Sequence, residues 1–142
     1  MASMMFLAWR HKTRFYPLLA CRMVKYSLEY GFCKDSIRAF VALSTAFVYL
    51  SDKIDTDFVE ANKWGNFALS LVDYFGAKEL LPIVYVNVFS IVRLWKEPIQ
   101  ASNPPLIEAY QTGLKYGSIG ACSFSVLIHF FLFMSMLILY RF

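Results

Sequence analysis

The chain has 142 residues, of which 58% are hydrophobic and only 17% are charged, with a net charge of +4. This composition is typical of membrane proteins rather than ordinary globular domains, and the length allows one compact unit rather than two. A nucleic-acid-binding protein is not expected, because so hydrophobic a chain seldom presents a nucleic-acid-binding arm.

Residues 1–30 form a basic, acid-poor, amphipathic arm, since no acidic residue precedes Glu29. We expect its basic residues to contact lipid headgroups, with cardiolipin as a possible bound phospholipid; they are Arg10, Lys12, Arg14, Arg22 and Lys25. An Arg-rich, acid-poor segment is also typical of a mitochondrial transit peptide. We expect it to remain in the mature chain, with its apolar start as an interfacial anchor.

Residues 31–95 are predicted to hold three membrane-associated helices, at about 34–51, 58–75 and 80–95. The first contains the uncharged run Ala39–Leu50, and the second is amphipathic at helical period. Alternating valines in the third would suit a strand in a soluble protein, but helices on both sides favour a membrane-embedded helix. The prolines of residues 96–105 predict a linker without regular structure.

Residues 106–142 contain the strongest signal, a carboxy-terminal transmembrane helix. The stretch Ile119–Tyr140 has no Asp, Glu, Lys or Arg, and a helix of that length covers the roughly 30 Å hydrocarbon core of a bilayer. Small residues at every fourth position predict a ridge that packs against a partner helix. They are Gly113, Gly117, Ala121 and Ser125.

The candidate residues for chemistry are few. His129 could ligate a haem or metal within the membrane, although hydrogen bonding across a helix interface is the simpler role. Asp73 could be a functional carboxylate, or a surface residue paired with Lys78. The three cysteines have no metal-binding spacing. No catalytic residue, metal site or cofactor is predicted, and we expect no enzymatic activity from this chain alone.

Asp73-Tyr74, after one apolar stretch and before another, resembles the Asp-Tyr pair of the small membrane-anchor subunit of succinate dehydrogenase. The resemblance implies a quinone site at Tyr74 and Asp73. Where that family's pattern has a haem-ligating histidine, this chain has Asn62.

A second set of residues resembles the peroxisome-elongation membrane proteins. It consists of the run Tyr49–Asp52, the pair Lys63-Trp64, and the glycines Gly117 and Gly120 before a terminal hydrophobic helix. This resemblance implies an organelle membrane-shaping protein.

The sequence thus predicts an all-α integral membrane protein with one strong transmembrane helix and two or three further membrane-embedded or interfacial helices. We expect a non-catalytic accessory subunit of a large membrane protein complex, of the mitochondrial respiratory chain or ATP synthase. Its expected location is the mitochondrial inner membrane as a multi-pass protein, and its partners are other membrane subunits and lipid. The alternatives are the succinate dehydrogenase-like anchor subunit and the membrane-shaping protein.

Overall fold

The computed structural model describes residues 15–50, 54–95 and 97–140, and every regular element within these ranges is a helix. The all-helical class is therefore as predicted. The chain divides into two compact units, Met1–Ala77 (unit 1) and Lys78–Phe142 (unit 2), where the length predicted one.

The described part of unit 1 contains three helices, α1 (Phe15–Tyr30), α2 (Lys34–Tyr49) and α3 (Ile54–Phe75). Two glycines with positive φ end the outer helices, Gly31 at 96° after α1 and Gly76 at 58° after α3. This left-handed conformation carries a steric penalty for residues with a Cβ atom, and it commonly ends helices. Helix α2 packs against both α1 and α3.

The core of unit 1 is aromatic. Phe40 of α2 is almost fully buried; it stacks on Trp64 of α3 with ring centroids 5.6 Å apart and meets Phe67 edge-on at 4.7 Å. Nearby, the buried hydroxyl of Ser44 donates a 2.6 Å hydrogen bond to the carbonyl oxygen of Ala61. Aromatic packing and one buried hydrogen bond thus fix α3 against α2.

Unit 2 is built around a helical segment that changes pitch. It runs through a 3₁₀ turn (Lys78–Leu80), α4 (Leu81–Asn87), a π-helical turn (Val88–Val92) and a second 3₁₀ turn (Arg93–Trp95), followed by α5 (Ile99–Lys115) and α6 (Ile119–Tyr140). Helix α5 packs against both α4 and α6.

Residues 80–94 are all buried or half-buried, which explains their nearly continuous apolar sequence. Val86 of α4 forms a core cluster with Leu106 and Ala109 of α5, and Phe124 and Ile128 of α6 pack against it. A helix that is apolar on all sides is either the centre of a protein core or surrounded by lipid. Here it is a core.

The structure differs from the prediction of a linker at residues 96–105, because α5 begins at Ile99 and includes Pro104 and Pro105. Pro98 precedes the helix with an extended ψ of 140°, and the buried hydroxyl of Ser102 donates a 2.9 Å hydrogen bond to the carbonyl oxygen of Phe89. This bond and the buried Leu106 hold the first turns of α5 on unit 2 despite their prolines.

The prediction of an integral membrane protein is wrong: within the part of the chain that the structure describes, no helix is long and apolar enough to cross a membrane. The multi-pass location in the mitochondrial inner membrane and the transmembrane character of residues 106–142 are corrected with it. The same finding conflicts with a place among the membrane subunits of a respiratory complex.

Helices α1, α2, α3 and α5 each fall short for a physical reason. Helices α1 and α2 have 16 residues each, about 24 Å of rise against a hydrocarbon core of roughly 30 Å. Helix α3 carries four charges between Asp57 and Asp73, and α5 contains two prolines, Glu108 and Lys115.

Candidate interaction surface

Helices α5 and α6 form a hairpin whose turn depends on Gly117. Its φ of 71° is left-handed, and the backbone N–H of Ser118 donates a 2.8 Å hydrogen bond to the carbonyl oxygen of Gly113. These features end α5 and allow α6 to fold back onto it.

The hairpin is closed by a small residue facing a thiol. A Cβ atom on Gly113 of α5 would lie only 2.5 Å from Sγ of Cys122 of α6, so a side chain at this position would require the thiol to move. The Cys122 thiol in turn lies 3.5 Å from the carbonyl oxygen of Tyr110, to which it donates.

The four residues of the predicted small-residue ridge do not lie on one helix. Gly113 is in α5, Gly117 is in the turn, and Ala121 and Ser125 are in α6. Gly113 and Ser125 are buried within unit 2, so at these positions the close contact is between two helices of this chain. Whether Ala121, half-buried, also meets another chain stays a prediction.

The opposite side of α6 is exposed and apolar. We call it the outer face of α6; eight large apolar side chains on it are between 41% and 76% exposed. They recur at spacings of three, four and seven residues and therefore lie on one side of the helix. They are Ile119, Val126, Leu127, Phe130, Phe131, Phe133, Met134 and Leu137.

Beside this face, α5 and α6 enclose an open groove of about 630 Å³. Tyr110 and Leu114 of α5 form one wall, and Val126 and Phe130 of α6 form the other. No charged residue lines it. The groove has the dimensions and polarity to receive apolar side chains from a neighbouring helix.

His129 lies next to a smaller cavity of about 130 Å³, between α5 and α6. Its Nδ1 atom is buried and, within the described residues, has no hydrogen-bond partner. The same part of the chain contains no group of three or more His, Cys, Asp or Glu side chains that could hold a metal ion. His11, the other histidine, lies outside the described residues.

The two candidate quinone residues lie on the surface of unit 1. Tyr74 is 81% exposed near the end of α3, where its ring packs edge-on against Phe75 at 5.0 Å. Asp73 is also exposed, and neither residue lines either of the two cavities described above. Asn62 is half-buried with its Oδ1 atom unpartnered. The structure does not bring these residues together around a cavity.

Two of the five predicted headgroup residues are described, and both are exposed on α1. Nε of Arg22 donates a 3.4 Å hydrogen bond to the hydroxyl of Tyr26, and Nζ of Lys25 lies 3.6 Å from a carboxylate oxygen of Glu29. Arg10, Lys12 and Arg14 lie outside the described residues, as does the predicted interfacial anchor at 1–9.

Among the described residues of unit 1, Tyr16 and Cys33 have pKa values shifted by their surroundings. Burial raises the pKa of the Tyr16 phenol to about 12, although a hydrogen bond with the side chain of Thr45 acts in the opposite direction. The pKa of the Cys33 thiol is lowered from its usual value, because the side chain and the backbone of Ser36 hydrogen-bond to it at the start of α2. Cys33 is exposed.

Sequence reasoning missed the outer face of α6 as a protein surface, because its apolar residues are the ones that a lipid-facing helix would have. The uncharged groove between α5 and α6 was also missed. The signal that could have indicated the hairpin is the pair of glycines at 113 and 117, because glycine is common both in close helix contacts and at helix ends.

Comparison with known proteins gives no assignment: no protein-family model, curated protein or solved structure matches this chain.

Proposed function

We propose that this protein is a non-catalytic accessory subunit of a larger protein assembly, and that it binds its partner through the outer face of α6. The observation that carries the proposal is the exposed apolar surface of that helix. Monomeric proteins rarely leave so large an apolar patch in water, and such patches mark interaction sites.

The area of the outer face fits a specific interface. A fully exposed large apolar side chain presents on the order of 200 Å². The exposed fractions of the eight side chains then amount to roughly 900 Å², against the roughly 800 Å² per partner that a standard protein interface buries.

The chemistry of the surface indicates the kind of partner. The eight side chains carry no charge, and no charged residue lines the adjoining groove. A charged partner surface would lose its hydration here without gaining an ion pair, which is strongly unfavourable. We infer an apolar helix of a different protein, one side of which enters the groove between α5 and α6.

A non-catalytic role is proposed because the sequence has only two histidines and no constellation of nucleophile, base and oxyanion-binding residues. Binding of a partner accounts for the exposed apolar side chains on the outer face of α6 and requires no catalytic residue.

The test is site-specific crosslinking in native extracts. A photoreactive side chain at Leu127, on the outer face, is compared with one at Val59, an exposed apolar position on α3. We expect Leu127 to crosslink to an uncharged helical segment of one partner protein and Val59 to give no such product. The double variant Leu127→Glu/Phe130→Glu should remove the complex from native electrophoresis, whereas Val59→Glu should leave it intact.

Circular dichroism of each variant checks that the helices remain folded. A wild-type chain that migrates as a monomer, or that crosslinks at Leu127 only to a second copy of itself, would contradict the proposal. So would a complex that survives the double substitution.

A further inference from the structure

A second surface lies in unit 1, on the side of α1 that points away from α2. Ala20 and Val24 are buried on the inner side of α1, where Ala20 packs with Ala42 of α2. The opposite side is exposed, and we call it the outer face of α1; its residues are Phe15, Leu18, Cys21, Arg22, Lys25, Leu28 and Glu29.

The outer face of α1 interleaves apolar and basic side chains. Phe15, Leu18 and Leu28 are each about two-thirds exposed, and Arg22 and Lys25 lie between the two leucines at helical spacing. A solvated helix surface would be expected to place polar residues at the leucine positions. Large apolar groups beside cations are instead the pattern of helices that lie in a lipid interface.

The charge of the neighbouring sequence indicates the charge of the ligand that this face would bind. Five basic residues and no acidic one precede Glu29, so this segment of the sequence is positively charged. On α1 itself, only Glu29 offsets it, through its exposed ion pair with Lys25. A surface of negative charge is therefore electrostatically complementary.

We propose that the outer face of α1 binds an anionic lipid surface. Arg22 and Lys25 contact the headgroups, while Phe15, Leu18 and Leu28 enter the boundary between headgroups and acyl chains. A nucleic acid would satisfy the two cations but would give the three apolar side chains no apolar environment, which is why lipid is the inferred ligand. This surface is separate from the outer face of α6 and goes beyond the accessory-subunit role.

The chain provides a matched pair of lysines for the test. Lys25 on α1 and Lys63 on α3 are both exposed, and each lies 3.6 Å from a glutamate carboxylate oxygen on its own helix. Lys25→Glu and Lys63→Glu therefore change the net charge of the protein equally, and each removes one comparable ion pair. Only the first alters the outer face of α1.

The experiment is sedimentation of the full chain with vesicles of phosphatidylcholine alone or mixed with phosphatidylserine. We expect binding to the mixed vesicles that weakens as salt is added. Lys25→Glu should weaken it on the order of tenfold or more, since each basic residue near an anionic surface contributes about one factor of five. Lys63→Glu should change it less than twofold. Leu18→Ser should weaken it several-fold at any salt concentration.

Three outcomes would overturn the proposal. One is equal binding to neutral and anionic vesicles, and another is equal loss in Lys25→Glu and Lys63→Glu, which would indicate a response to net charge alone. The third is binding to a duplex oligonucleotide in the absence of vesicle binding. Leu127→Glu/Phe130→Glu should bind the mixed vesicles like the wild type, so failure of this proposal is distinguishable from failure of the proposed interface on α6.

Discussion

The two units use the same kinds of side chain in opposite ways. In unit 1 the rings of Phe40, Trp64 and Phe67 point into the contact between α2 and α3. In unit 2 the α5–α6 hairpin is closest at Gly113 and Cys122. Phe124 of α6 packs against the core, but the rings of Phe130, Phe131 and Phe133 are exposed. The comparison teaches that two helices can pack closely through small residues while most of the large apolar side chains of one of them stay exposed.

The largest expected effect is the difference in stability loss between removing a buried ring and removing an exposed one. Phe40→Ala removes a buried ring with three aromatic neighbours and should lower the free energy of unfolding of unit 1 by about 3–5 kcal/mol. Phe130→Ala truncates a ring that is 63% exposed and should change stability by less than about 0.5 kcal/mol. Denaturant unfolding measures both, and hydrogen exchange locates the loss in α2 and α3. Equal losses would contradict the comparison.

The second prediction concerns the close contact in unit 2. Gly113→Ala places a Cβ atom against Sγ of Cys122 and should lower stability by about 1–2 kcal/mol, although alanine favours helices more than glycine does. The double variant Gly113→Ala/Cys122→Ala should regain most of this loss, as measured by thermal unfolding.

Gly120→Ala is the matched control for that contact, because nothing lies within 4 Å of the Cβ atom that it introduces into α6. It should raise stability by about 0.5–1 kcal/mol through helix propensity and reduced freedom of the unfolded chain. A loss at Gly120 as large as at Gly113 would show that helix packing does not explain the effect.

The smallest predicted effect is a pH dependence in unit 1. The pKa of Tyr16 is about 12 in the folded protein and 10.0 in the unfolded chain. Above pH 10 the unfolded phenol ionises while the buried one stays neutral, so stability is complete below pH 10 and falls between pH 10 and 12. By pH 11 the loss should be about 1 kcal/mol relative to neutral pH.

Tyr16→Phe should remove this part of the alkaline dependence. The measurement is the urea midpoint of both proteins between pH 8 and pH 11. Parallel curves would contradict the assigned burial of the phenol.

The helical class could be predicted from the sequence, because Phe58–Phe75 repeats its apolar residues at helical period and stops at Gly76. The sequence could not predict whether the apolar helices lie in lipid, in a protein core or against a partner. Lipid, a protein core and a partner protein all favour the same uncharged residues, so the segment around Val86 and the outer face of α6 have similar sequences in different surroundings.

Predictions from neighbouring residues in the sequence were wrong where tertiary contacts favour a different structure. Pro104 and Pro105 predict an irregular linker, but Ser102 and Leu106 attach that segment to unit 2 as a helix. The spacing from Gly113 to Gly117 fits a continuous helix, yet Gly117 adopts a left-handed φ and the chain turns. For the candidate sites, the exposure of Tyr74 depends on three-dimensional packing that its neighbours in sequence do not report.

Cys33 is a suitable site for attaching a fluorescent label to unit 1. Its exposed thiol ionises more readily than an ordinary cysteine, whereas Cys122 is buried. In a Cys21→Ser background, a fluorescent maleimide added at mildly acidic pH should therefore label Cys33 preferentially. The dye would lie at the junction between α1 and α2. A change in its fluorescence emission on addition of vesicles would then report their binding near α1.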